Sequence, residues 1–156
     1  MHSTALGVSR ETRVEQSVNE STSVKDFMTY IPNGNVVEKL NRWKSQGAEI
    51  YYLTSRETPD QLDDVMFVLN KYNFPDSQNL LYRKNGEQYK DVAERLIPDI
   101  FIEDDCESIG SSEITFPHIN PEIQAKIHSI IVKEFAGIDH LPDRLGELEK
   151  YNKLYF

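Results

Sequence analysis

Three consecutive carboxylates, Glu103, Asp104 and Asp105, close the short apolar run Ile100, Phe101 and Ile102 within PDIFIEDDCESIG, residues 98–110. The run is too brief for a helix, and with Pro98 ahead and a polar turn behind it reads as a buried, parallel-type strand. The acids then fall at the strand's carboxyl end, the edge where open α/β sheets bind ligands. Side chains alternate along a strand, but two of three can converge where it gives way to a loop. Carboxylates ~5 Å apart repel by about 3 kcal/mol at an effective dielectric of about 20, so a cation or a proton must relieve them. Hard oxygen donors in this position suit a magnesium ion that keeps several waters and meets a substrate phosphate. A solvated acidic turn is the plainer alternative.

Two other groups bear on the same chemistry. Thr54, Ser55 and Arg56 follow EIYYLT, residues 49–54, and offer hydroxyls and backbone amides just ahead of a helix start at Thr58 and Pro59, a favourable place for an anion. Lys84 in a loop and Lys90 in the first turns of the helix before the acids are the cationic candidates. Singly, these are ordinary turn chemistry and solvated charge. A hydroxyl, a lysine and a carboxylate cluster, each next to a strand of one parallel sheet, outline a phosphate and metal site together. Cys106 is a poor nucleophile, because the surrounding carboxylates disfavour its thiolate. His118, His128 and His140 lack metal-ligand spacing.

The elements that must position these residues follow from periodicity. Residues 1–10 have no clear period, and Ala5, Leu6 and Val8 fit a short extended piece or a loop. Residues 11–31 carry helical patterns broken at 20–23, with Val14 and Val18, then Val24, Phe27, Met28 and Ile31 on apolar stripes. Asn35 and Glu38 have the spacing of a capping box for a helix through Val36, Val37, Leu40 and Trp43, which Gly47 ends. The aromatic and β-branched residues 49–54 predict a strand. A helix follows with Leu62, Val65, Met66, Leu69 and Tyr72 buried. Residues 79–83 form another strand, and residues 86–97 a helix through Tyr89, Val92, Ala93 and Leu96 leading into the acidic strand. Asn120 and Pro121 start a short helix, residues 129–132 a further strand, and Pro142 a terminal helix with Leu145, Leu148, Tyr151 and Tyr155. GIDHLPD, residues 137–143, reads as a turn and helix start with no chemistry of its own. Alternating helices and strands of these lengths imply crossover connections and a doubly wound α/β fold with a parallel sheet and helices on both faces.

Composition bounds the rest. The 156 residues, 38% of them hydrophobic, fit a single globular domain. A net charge of −9 argues against nucleic acid as partner. No apolar run near ~18 residues and no secretory leader is present, so a soluble cytoplasmic protein without membrane partners is expected. The single cysteine fits a reducing compartment. Nothing in the sequence speaks to oligomeric state.

Over roughly residues 25–140 the chain resembles the haloacid-dehalogenase-like superfamily of phosphohydrolases. YYLTSR resembles that superfamily's second motif, which makes Thr54 the phosphate-binding hydroxyl, with Ser55 and Arg56 beside the substrate. Lys90, fourteen residues before Asp104, fits the lysine of the third motif, with Lys84 in reserve. IFIEDD resembles the fourth motif, whose acidic pair holds magnesium and is here either Glu103 with Asp104 or Asp104 with Asp105. The resemblance implies a Mg2+-dependent phosphatase acting on a small-molecule phosphate ester through an aspartyl-phosphate. It also implies a first strand ending in D-x-D, central in the sheet, and nothing before Thr54 supplies one, since Asp26 lies in a helical pattern. The expectation is therefore that Met1 is an internal methionine, that the nucleophile lies upstream, and that residues 11–31 are a small cap. A non-catalytic phosphate- or metal-binding or protein-interaction domain is the alternative. A receiver domain is disfavoured, because its acidic pair comes at the first strand and its lysine late.

Overall fold

Proline, glycine and amphipathic spacing place most elements where the periodicity puts them. The structure, a computed structural model, describes residues 2–3, 8–20, 26–111 and 113–151. In chain order these form β1 (His2–Ser3), α1 (Arg10–Val18), a 3-10 turn at Phe27–Thr29, β2 (Tyr30–Ile31), α2 (Val36–Ser45), β3 (Tyr52–Thr54) and α3 (Pro59–Lys71). There follow β4 (Leu80–Tyr82), α4 (Tyr89–Leu96), β5 (Ile100–Asp104), α5 (Pro121–Gln124), β6 (His128–Val132) and α6 (Leu145–Leu148). The expectations at Ala5, Leu6, Val24 and Tyr155 fall outside the described residues. No helix among the described residues is long and apolar enough to cross a membrane.

The fold is mixed α/β, with a sheet arrangement that differs from the expected continuous doubly wound sheet. Among the described residues there are three two-stranded sheets: β1 antiparallel to β2, β3 parallel to β4, and β5 parallel to β6. The two parallel pairs nevertheless share one core. Tyr52 and Leu80 from the first, and Ile100, Ile102, Ile130 and Val132 from the second, pack with Leu40 and Trp43 of α2 and Leu69 of α3. The opposite face of β5 carries Phe101, which packs on Ala93 of α4 and on Ile119 and Ile127. The β5–β6 pair therefore has helices on both faces, as alternation along a parallel strand requires.

Strand burial runs against the usual order. No residue of β3, β4 or β5 is fully buried, whereas Ile130 and Val132 of β6 are 4% and 7% exposed. Among the described residues β3, β4, β5 and β6 each pair on one edge only, and the two ribbons they form share the core.

The stretch 137–143, which carries no chemistry in the sequence, is a strap clamped onto α2. Asn35 caps that helix without using its own side chain; its backbone N–H donates instead to the Asp139 carboxylate at 2.9 Å, and Glu38 pairs with Arg42. The expected local capping box is thus replaced by a tertiary cap, since an acidic acceptor from the strap reaches the first turn. Farther along, Lys39 Nζ donates to the Leu141 carbonyl at 2.7 Å and Trp43 Nε1 to the Pro142 carbonyl at 2.9 Å.

Candidate functional site

The three consecutive acids are sorted by the alternation of β5. Glu103 lies on the Phe101 side, and both its oxygens accept backbone N–H bonds, from Thr115 at 2.7 Å and Phe116 at 2.9 Å. Burial raises its carboxyl above the ordinary range despite those bonds. Asp105 accepts the Glu134 N–H at 3.0 Å and pairs with Lys133 at 2.8 Å. Burial pushes Asp105 up, but Lys133 and the amide outweigh it and leave its pKa lowered. Asp104 is exposed; its Oδ1 accepts the following turn's Cys106 N–H at 2.9 Å, and the Cys106 thiol bonds the same carboxylate. Glu103 and Asp105 thus anchor the loops that follow β5 and β6. Asp104 forms no ion pair among the described residues and, as the exposed one of the three, is the acid best able to ligate a cation.

Glu134 completes this edge, although it carries no signal in the sequence beyond following the apolar strand IIV. It is 8% exposed, and its carboxylate accepts the Ser108 N–H at 2.7 Å and the Ser108 hydroxyl at 2.8 Å. Polar contacts fasten helix α1 across the same edge. Arg10 donates to the Glu134 carbonyl at 2.9 Å and pairs with Glu107, Ser17 Oγ meets Ser108 Oγ at 3.1 Å, and no α1 residue is buried. Cys106 follows in a left-handed conformation. Burial first, then the Asp104 charge, pushes its thiol up to about 12, so it is protonated at neutral pH.

At the end of β3, Thr54 Oγ1 accepts the Arg56 N–H at 3.3 Å, which leaves its own O–H to donate to a ligand. Arg56 stacks 4.0 Å over Phe27 and forms no ion pair among the described residues. Lys90 is the second residue of α4, and neither it nor Lys84 forms an ion pair among the described residues. The adjoining contacts are Arg83 over Tyr89 at 4.5 Å and Arg83 with Glu57 at 2.6 Å; neither was legible from spacing. Parallel pairing puts Thr54 level with Tyr82, and Asp104 level with Val132. The hydroxyl and the acid therefore each terminate a parallel pair at its carboxyl end. No group of three or more potential metal-ligating side chains forms among the described residues, so a divalent ion held by Asp104 needs a further donor. Compared with protein-family models, curated proteins and solved structures, the chain has no match.

Proposed function

We propose that the chain belongs to a magnesium-dependent phosphohydrolase of the haloacid-dehalogenase-like type, in which one more parallel strand runs between β3 and β5 to complete a doubly wound sheet. The observation that carries this reading is the reversed burial of the strands. Parallel strands are ordinarily covered on both faces and paired on both edges unless outermost. Here the buried strand residues, Ile130 and Val132, lie on β6, while β3 and β5, like β4, have no buried residue, and among the described residues each pairs on one edge only over a common core. A strand between them relieves both conditions.

On this reading the added strand lies upstream of Met1 and brings the aspartate nucleophile. Its carboxylate and that of Asp104 would be the protein's ligands to magnesium, a donor set of the right chemistry for an ion that keeps several waters. Bound there, magnesium supplies charge neutralisation to the phosphate. Thr54 donates its hydroxyl hydrogen to a phosphate oxygen, and Lys90 balances charge that develops on the transferring group. Ser55 and Arg56 extend the anion-binding turn. Asp105, Glu103 and Glu134 hold the loops around Asp104, and α1 forms part of a small cap.

The test is phosphomonoester hydrolysis by the protein carrying its upstream sequence. Magnesium-dependent turnover is expected, with Asp104→Asn lowering it ~100-fold or more and Asp105→Asn costing less. Equal loss at both positions would reject the assignment of Asp104 as the ligand. Metal binding without turnover in that longer protein would favour the non-catalytic alternative.

A further inference from the structure

Beyond Thr54 the carboxyl ends of β3 and β4 border a cavity of about 490 Å³, lined by Glu57, Tyr82, Arg83, Lys84, Asn85 and Gly86. That is within the size range of small-molecule sites and more than one phosphate fills. Its wall is preformed. The Lys84 N–H donates to Glu87 Oε2 at 3.0 Å and the Glu87 N–H returns to the Lys84 carbonyl at 2.9 Å, which fixes the turn that carries the lysine. Arg83 lies over Tyr89, 4.5 Å from its ring centre, and is tied to Glu57 at 2.6 Å, while its buried Nε has no partner. Lys84 Nζ lies 5.2 Å from the Tyr82 ring centre and forms no ion pair among the described residues.

Lys84, like Arg56 and Lys90, forms no ion pair among the described residues, in a chain of net charge −9. Arg10, Lys39, Arg42, Lys44, Arg95 and Lys133 are each matched by a carboxylate. The cavity instead joins an unmatched ammonium, a guanidinium paired with Glu57 and an aromatic wall. An ammonium, a planar donor fork and a ring face suit an anionic group on a short carbon skeleton.

Resting on the phosphohydrolase reading, we propose that this cavity is a subsite for a second negatively charged group of the substrate, a phosphate or a carboxylate. Lys84 and Arg83 bind that group, and Tyr82 packs against the carbon skeleton between the two anions. Glu57 holds the guanidinium toward the cavity until the second anion takes one of its donors. The substrate class is accordingly a phosphate ester with a second anionic group, not a simple monoester.

Calorimetric titration of the protein carrying its upstream sequence, without magnesium so that no probe is turned over, tests this with three probes of similar size: glucose 6-phosphate, 6-phosphogluconate and glucose 1,6-bisphosphate. The doubly anionic probes are expected to bind about tenfold tighter than glucose 6-phosphate. If only one of them does, the second group is identified as phosphate or carboxylate. Lys84→Gln should collapse the ratio toward one, whereas Lys90→Gln should weaken all three and keep it. Equal affinities for all three probes, or a ratio that survives Lys84→Gln, would overturn the subsite while leaving the phosphate site standing. No binding by any probe would overturn both.

Discussion

Lys39 offers the sharpest test of how the strap is held. Its residue is 8% exposed, and its ammonium donates to the Leu141 carbonyl at 2.7 Å and to Asp143 Oδ1 at 2.5 Å. Leu141 is 2% exposed, whereas the Asp143 side chain is 51% exposed. Lys39→Met keeps the apolar stem and removes the charge. It strands the carbonyl in the core at a cost of about 1–3 kcal/mol, while water satisfies the freed aspartate. Lys39→Ala also strips roughly three methylenes at ~0.8 kcal/mol each, for a total of about 3–5 kcal/mol. With an unfolding entropy of ~2.1 cal/mol/K per residue, a chain of this length loses about 3 °C per kcal/mol. Midpoints should therefore fall by roughly 3–9 °C and 9–15 °C respectively. Trp43, the single tryptophan, is 2% exposed and bonded to the strap at Pro142, so its fluorescence reports the transition. Asp143→Asn should leave the midpoint close to wild type. A fall as large as that of Lys39→Met would show that the ion pair, not the carbonyl, holds the strap, and would refute the reasoning.

Three further outcomes follow from single residues. Gly34 has φ +56°, and a Cβ there would overlap the Asp139 carboxylate; Gly34→Ala should cost about 1–2 kcal/mol from backbone strain alone, and an unchanged urea midpoint would contradict the tertiary cap. Glu103 has a raised native pKa, so above its ordinary 4.5 the folded state holds more proton than the unfolded one and stability falls as pH rises toward the native value. Denaturation at stepped pH should show that falling contribution in wild type and not in Glu103→Gln, and a difference that grows with pH would have the wrong sign. Cys106, pushed up to about 12, should be alkylated by iodoacetamide at pH 8 about 100-fold or more slowly in the native protein than in urea; similar rates would mean that the turn does not bury the thiol.

The elements legible in the sequence were those whose signals are local. Pro59 and Pro121 open helices and Gly47 takes a left-handed φ of +104°, as turn chemistry requires. The run ahead of the acids became a five-residue strand, with Phe101 on one face and Ile100 and Ile102 on the other. Signals between distant residues were not legible. Asn35 and Glu38 had the spacing of a capping box, yet the helix is capped from Asp139. The acids illustrate the same limit at the site. Spacing left the pair open between Glu103–Asp104 and Asp104–Asp105, because nothing local reveals that Thr115, Phe116 and Glu134 turn their amides toward the outer two. The helical reading of residues 11–31 divided into α1 and a short 3-10 turn, with residues 21–25 outside the described chain.

The strap also sets a schedule for how the protein is made. Lys39 and Trp43 find their acceptors 102 and 99 residues later in the chain. At ribosomal rates of ~5–20 residues per second, α2 must wait roughly 5–20 s after emerging before those carbonyls exist. During that interval the indole and the ammonium have no native partner, and the main core lacks the leucines at 141 and 148 that close it. Closing so long a loop delays the reward for forming the contacts. The nascent chain therefore cannot complete this core until residues 141–148 have been synthesised. Until then it is exposed to chaperones, proteases and its own neighbours.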